Sequence, residues 1–174
     1  MSGSSGKIVV SDTTAITYLA KIEALHLLKA LFQEIYIPEA VYDELTRQGD
    51  HIPGSKEVKS LPWIKIKKVD NYEHYARAFS TELDPGETQA IGLALHMNAD
   101  YLIIDEMDGR GEAVKLGIKT VGMLGIFLIA KEKGLILRAG PYLEKLQRTT
   151  FRMSASIYNT ALKKAGEFSV QKKA

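Results

Sequence analysis

Residues 83–110 read LDPGETQAIGLALHMNADYLIIDEMDGR, and this stretch decides the fold. Its opening Asp84-Pro85-Gly86-Glu87 is a helix start: proline suits the first helical turn, and an acid three residues after the Asp completes a capping box. Ile91, Leu93, Ala94 and Leu95 then supply an apolar side, which predicts a helix within ELDPGETQAIGLALHMNA, residues 82–99. The next run, YLIID (101–105), is short and apolar up to its last residue, the pattern of a buried strand. It ends on a carboxylate, Asp105, where a buried charge is expensive.

The same pattern stands near the beginning of the chain. In KIVVSDTTAITYLAKI (7–22) a strand over 7–12 stops at Asp12, and TAITYLAKI follows with Ile16, Leu19 and Ala20 at helical spacing. ALHLLKALF (24–32) is a second helix, and EIYIP (34–38) a short β-branched strand. Pro38 is expected to open the helix PEAVYDELTRQ (38–48), which Gly49 ends. PGSKEVKSLP (53–62) reads as loop with one helical turn, and WIKIKKV (63–69) alternates apolar and basic as an exposed or edge strand does. Beyond Asp105, GEAVKLG (111–117) is a short helix, IKTVG (118–122) a strand and MLGIFLIAKEKG (123–134) a helix apolar enough for a core. PYLEKLQRT (141–149) and SASIYNTALKKAG (154–166) add two helices. Strands alternating with helices predict an α/β fold, a mostly parallel central sheet flanked by helices.

The length of 174 residues suits one domain, and no linker or composition shift invites a second. The opening MSGSSG has the Gly/Ser make-up of a vector-derived remnant, so the domain is expected over 7–174. No apolar run approaches the roughly 18 residues of a membrane span, and a soluble protein is expected. The chain has no cysteine, which excludes disulfides and thiolate metal sites and fits a reducing cytoplasm. A net charge of +2 is too small to advertise a nucleic-acid partner.

In open α/β sheets the ligand site lies at the carboxyl ends of the strands. Asp12 and Asp105 both end strands there; Glu87 opens a helix and Glu44 sits on another, so each leans toward the same edge. Clustered carboxylates repel unless a cation sits among them, and Mg²⁺ or Mn²⁺ prefers such oxygen ligands. His26, His51, His74 and His96 have no metal-ligand spacing, and His96 on its apolar helix reads as packing. The chemistry suited to this cluster is attack of a cation-activated water on a phosphodiester. Each acid also has a plainer reading: Asp12 or Asp105 as a helix cap, Glu87 as half of a capping box, Glu44 as a solvated face. Their joint placement carries the weight.

Four stretches, VVSDTTAITYLAKI (9–22), IPEAVYDEL (37–45), 83–136 and FRMSASIYNTALKKAGE (151–167), together resemble the PIN-domain family, metal-dependent ribonucleases that include the VapC-type toxins of prokaryotic toxin–antitoxin pairs. The resemblance implies a PIN-like three-layer sandwich with Asp12, Glu44, Glu87 and Asp105 as catalytic acids around Mg²⁺ or Mn²⁺. Thr13 or Thr14 matches the hydroxyl beside the first acid. A Thr or Ser typically precedes the fourth acid by two residues; Ile103 and Ile104 stand before Asp105 here, so Glu106 or Asp108 shares or replaces its role. The resemblance further implies an RNA substrate, a cognate antitoxin, a homodimer, a cytoplasmic location and no membrane.

Arg110 is close enough to the acidic strand end to bind a phosphate, or is a surface arginine. Lys65, Lys67 and Lys68, and farther on Arg148, Arg152, Lys163 and Lys164, either grip RNA backbone or merely face solvent. The expected function is therefore a metal-dependent endoribonuclease, the toxin of such a pair. The alternatives are a non-catalytic PIN-like module binding RNA or protein, and a haloacid-dehalogenase-type phosphatase. The latter wants a second aspartate two residues after the first, where this chain has Thr14.

Overall fold

The computed structural model describes residues 6–168; all but the last residue of the MSGSSG opening lies outside the described residues. The chain forms two compact units, divided between Met123 and Leu124. The first contains β1 (Val9–Ser11), α1 (Thr13–Lys21), α2 (His26–Phe32), β2 (Ile35–Pro38), α3 (Glu39–Thr46), α4 (Ser55–Ser60) and β3 (Ile64–Lys67). It continues with α5 (Tyr72–Ala78), α6 (Pro85–His96), β4 (Tyr101–Ile103), α7 (Met107–Lys115) and β5 (Thr120–Val121).

The strands line up as β3-β2-β1-β4-β5, and every pair is parallel. The sheet is thus wholly parallel, because a helical return separates each strand from the next. It is flanked by helices as an α/β sandwich requires. β1 is buried along its whole length, as a central parallel strand must be. Val9 pairs with Tyr101 and Ser11 with Ile103, so β1 and β4 end level. Past that end the Asp12 N–H donates to the Ile103 carbonyl at 3.0 Å, and the Ile104 N–H to the Val121 carbonyl at 3.0 Å. Asp12 and Asp105 therefore leave the sheet at one edge.

One face of the sheet packs Val10, Leu102 and Ile104 against Ala90, Ile91, Leu93 and Ala94 of α6 and Ala113 of α7. Gly92 leaves room for α5: a Cβ there would stand 2.8 Å from Cδ2 of Tyr75. Strand alternation puts the buried Val9 and Ile103 on the opposite face. β3 forms one edge of the sheet, with Ile64 buried and the rest of the strand exposed.

Three expectations need correction, and one helix, α5, was not expected at all. Pro38 is not the first helical residue: it ends β2 in extended conformation and sits at the N-cap of α3, since its fixed φ serves a strand end as well as a helix start. α5 lacks a sequence signal because it buries none of its residues, so it has no apolar stripe. α7 starts at Met107 rather than 111, and Gly109 is a helical glycine packed on Ile104. His96 is exposed at the end of α6, beside an open cavity that His74 and Arg77 also line, because the last helical turn runs beyond the core.

α8 (Met123–Glu132) begins at the end of the first unit; α9 (Gly140–Gln147) and α10 (Ala155–Lys164) follow. Ile126, Phe127 and Ala130 of α8 are buried, in keeping with its apolar sequence. Within the second unit the Phe127 and Tyr142 rings stack with centroids 5.4 Å apart. Glu167 accepts the Ala139 and Gly140 N–H groups at 2.7 and 2.9 Å and the Lys131 ammonium at 2.9 Å, so a residue far along the chain caps α9. Among the described residues no helix is long and apolar enough to cross a membrane.

Candidate active site

Asp12 follows β1 with extended backbone at the N-cap position of α1, yet its side chain makes no capping hydrogen bond. Only 3% exposed, it keeps Oδ1 without a partner. Burial holds its carboxyl well above the usual carboxylate range; the charge of Asp105 adds to this, the nearby Ala15 amide opposes it although its geometry closes no capping hydrogen bond, and Glu87 and Asp84 push further upward.

Glu44 reaches the site from α3, where its Oε2 accepts the Thr13 hydroxyl at 2.7 Å. Gly86 keeps this corner open: a Cβ on it would stand 3.1 Å from Glu44 Oε2, 3.3 Å from Asp84 Oδ1 and 3.6 Å from Thr13 Oγ1. One turn of α6 then supplies two acids. Asp84 Oδ1 accepts the Glu87 N–H at 2.7 Å and Glu87 Oε2 accepts the Asp84 N–H at 3.2 Å, a complete capping box. The box uses one oxygen of Glu87; the other, Oε1, is buried and unpartnered. Burial raises the Glu87 carboxyl, with Asp84, Glu106 and Asp108 repelling its charge and the Asp84 amide opposing them.

Asp105 divides its oxygens the same way. Oδ1 accepts the N–H of Met123, the first residue of α8, at 2.8 Å, while Oδ2 is buried without a partner. Burial raises its carboxyl, the Met123 amide and Arg110 pull it down, and Glu106 pushes it up. Arg110 comes close because Gly122 has no side chain: a Cβ there would meet Arg110 Nη1 at 2.6 Å and Asp105 Oδ1 at 3.0 Å.

Asp12, Thr13, Thr14, Glu44, Asp84, Glu87 and Glu106 line a cavity of about 40 Å³. The first three expected acids thus meet around one space, joined by both threonines and by Glu106. Asp105 stands beside the cavity rather than on its wall, and Asp108 is felt only through its charge on Glu87. Asp84 is the acid that sequence reading assigned to capping alone. Its signal was the DPGE motif, which a cap explains fully, so its second place on the cavity wall was not visible there.

Among the described residues no three His, Asp or Glu side chains already stand in ion-holding geometry. Yet three of the carboxylates, Asp12, Glu87 and Asp105, each hold a buried oxygen with no donor, and their charges repel. An unsatisfied buried group costs roughly 1–3 kcal/mol. A hard divalent cation relieves both the missing donors and the repulsion, so the residues fit such an ion. The histidines are exposed, and none lines this cavity. The lysines of β3 and of the residue after it lie outside its wall as well: Lys67 stands over the Tyr36 ring at 5.9 Å, and Lys68 pairs with Asp70 at 3.7 Å. Arg148, Arg152, Lys163 and Lys164 are exposed on the second unit.

A search among curated proteins finds no match to the chain. PIN domains are generally nucleases and typically use divalent metal ions. The family model DUF3368, a PIN domain, matches residues 8–167, nearly the whole sequence and all of the acids described above, and the chain belongs to the PIN-domain family.

Proposed function

We propose that the protein is a Mg²⁺- or Mn²⁺-dependent endoribonuclease that hydrolyses RNA phosphodiester bonds. The observation that carries this reading is the set of three unpartnered buried oxygens, Asp12 Oδ1, Glu87 Oε1 and Asp105 Oδ2, on carboxylates that repel one another. Asp12, Glu87 and Asp105 hold the ion, and Glu44, fixed by Thr13, supports it from α3. Glu106 on the cavity wall supplements Asp105. When bound, the divalent ion supplies positive charge for the scissile phosphate and an acidified water. The chain's own part is to keep the acids preorganised at one sheet edge, with amides and a hydroxyl fixing one oxygen of each of Asp105, Glu87 and Glu44.

The narrower reading, a VapC-like toxin in the cytoplasm that pairs with an antitoxin and forms a homodimer, rests on the likeness of the quoted sequence stretches to that subfamily. Growth arrest on expression, relieved by the product of an adjacent gene, tests it.

The primary experiment is cleavage of a panel of structured RNAs by purified protein with Mg²⁺ or Mn²⁺, against a chelator and beside Asp12→Asn. Metal-dependent cutting that the variant lacks supports the nuclease. Absence of both cutting and metal binding favours a non-catalytic RNA- or protein-binding module, and a trapped aspartyl-phosphate favours a phosphatase.

A further inference from the structure

The acidic cavity poses a problem for the substrate just proposed. Five of its seven lining residues are carboxylic acids, and RNA brings a phosphate at every nucleotide. Even with a divalent ion in place, such a surface has little positive charge to spare, so affinity for the strand has to come from cations next to the cavity. Three lysines of the first unit are already engaged: Lys59 pairs with Asp50, Lys68 with Asp70 and Lys115 with Glu112.

Two arginines differ. Arg47 follows Glu44 by three residues, and the helix holds its geometry that far, because Arg47 has αR backbone angles and its N–H donates to the Asp43 carbonyl at 2.9 Å. Residues at this spacing share a helix face. Since Glu44 is tied to Thr13 on the cavity wall, the exposed Arg47 stands on the same side of α3. Arg110 occupies the other end. Its guanidinium lies over Gly122, past the end of β5, beside Asp105 Oδ1, an oxygen that already accepts the Met123 amide. It is half-buried, and a guanidinium has five N–H donors, so one neighbour does not exhaust it. Among the described residues neither arginine closes an ion pair. In sheet order the helix of Arg47 follows β2 and the glycine under Arg110 follows β5, with Asp12 and Asp105 leaving β1 and β4 between them.

We propose that Arg47 and Arg110 are the two ends of an RNA-backbone clamp, each binding a phosphate on one side of the bond that is cut. The clamp rests on the nuclease reading and adds to it the path of the strand: along the carboxyl edge of the sheet, from α3 across the carboxylates to Gly122. The clamp holds the strand by its phosphates alone, since planar guanidiniums match phosphate oxygens and nothing in the pair reads a base.

The test is fluorescence anisotropy of a labelled single-stranded RNA with the full chain in EDTA, repeated over a range of salt concentrations. Each phosphate neutralised contributes about 0.7 to the slope of log K against log salt for a single strand. Arg47→Gln and Arg110→Gln are each expected to lower the slope by about 0.7, and the double variant by about twice that. Arg47→Lys and Arg110→Lys keep the charge and restore the slope, which separates loss of a contact from loss of the fold. Lys65→Gln on the edge strand leaves the slope at the parent value. Parental slopes in the arginine variants, while the parent still cleaves RNA, would overturn the clamp and leave the nuclease standing; so would a slope that falls with Lys65→Gln instead. A parent that neither binds nor cleaves RNA removes the nuclease reading and the clamp with it.

Discussion

The Thr13 hydroxyl donates to Glu44 Oε2 at 2.7 Å, a bond between residues 31 apart that ties the start of α1 to the side of α3. Because Glu44 is exposed, water replaces the bond when it is lost, and Thr13→Val is expected to cost only about 0.5–1.5 kcal/mol of stability. Its effect on function is larger. A supporting hydrogen bond to a metal-site ligand is typically worth 10- to 100-fold, so Thr13→Val should lower RNA cleavage by about that factor while Thr13→Ser retains it. Cleavage rates and Mn²⁺ affinity by calorimetry check this, and a Thr13→Val protein with parental activity would remove Glu44 from the working site.

Burial and neighbouring charge raise the carboxyl of Asp12 above its unfolded value. The native state then keeps this proton over a pH range where the unfolded chain has lost it. Stability from this group is present below the unfolded value, near pH 4, and is lost as pH rises through the elevated folded value. Asp12→Asn removes the titration, so in EDTA the variant should be more stable than the parent at neutral pH, with the gap closing toward about pH 4. The comparison isolates Asp12 from Glu167, whose lowered carboxyl gives the opposite slope in both proteins. Urea midpoints across pH measure it; a constant gap would show that Asp12 is not held protonated by its surroundings.

Asp12 and Asp105 were legible because each terminates a short apolar strand, a local pattern with few explanations, and parallel strands send both to one edge. What was not legible depends on distances between segments remote in sequence. Asp84 already had a sufficient local role, so nothing in its neighbourhood pointed to the cavity. Arg47 gains meaning only when Thr13 brings Glu44 to the cavity wall. Gly86 and Gly122 matter for what stands beside them, a carboxylate and a guanidinium from other elements, and a glycine in a sequence does not say which neighbour needs the room. The α5 helix escaped because it buries no residue of its own and contributes the half-buried Tyr75 to a gap that Gly92 leaves.

Gly109 and Gly111 lie on one helix and should respond to alanine with opposite signs. A Cβ at Gly111 meets nothing within 4 Å, so Gly111→Ala gains helix propensity, about 0.5–1 kcal/mol. A Cβ at Gly109 would stand 2.6 Å from Ile104 Cδ1 and 3.1 Å from Glu87 Oε1. Ile104 is fully buried and cannot retreat freely, so overpacking of about 1–3 kcal/mol outweighs the same propensity gain. Thermal melts should rise for Gly111→Ala and fall for Gly109→Ala, with cleavage reduced only in the latter. A stabilised and active Gly109→Ala would mean that α7 does not press on Glu87.

Glu87 has two separable jobs, because its two oxygens do different things. Oε2 accepts the Asp84 N–H and completes the capping box, whereas Oε1 is buried, unpartnered and repelled by its acidic neighbours. Glutamine serves a capping box as well as glutamate does, so Glu87→Gln keeps the start of α6 and removes one charge from the cluster. It should melt at or above the parent temperature without metal, yet lose both Mn²⁺ binding and cleavage. Glu87→Ala loses the cap as well and should be less stable than Glu87→Gln by about 1 kcal/mol. If Glu87→Gln kept parental Mn²⁺ affinity and cleavage, the capping box would account for the residue entirely, and the ion would have to be held by Asp12, Asp105 and the remaining acids.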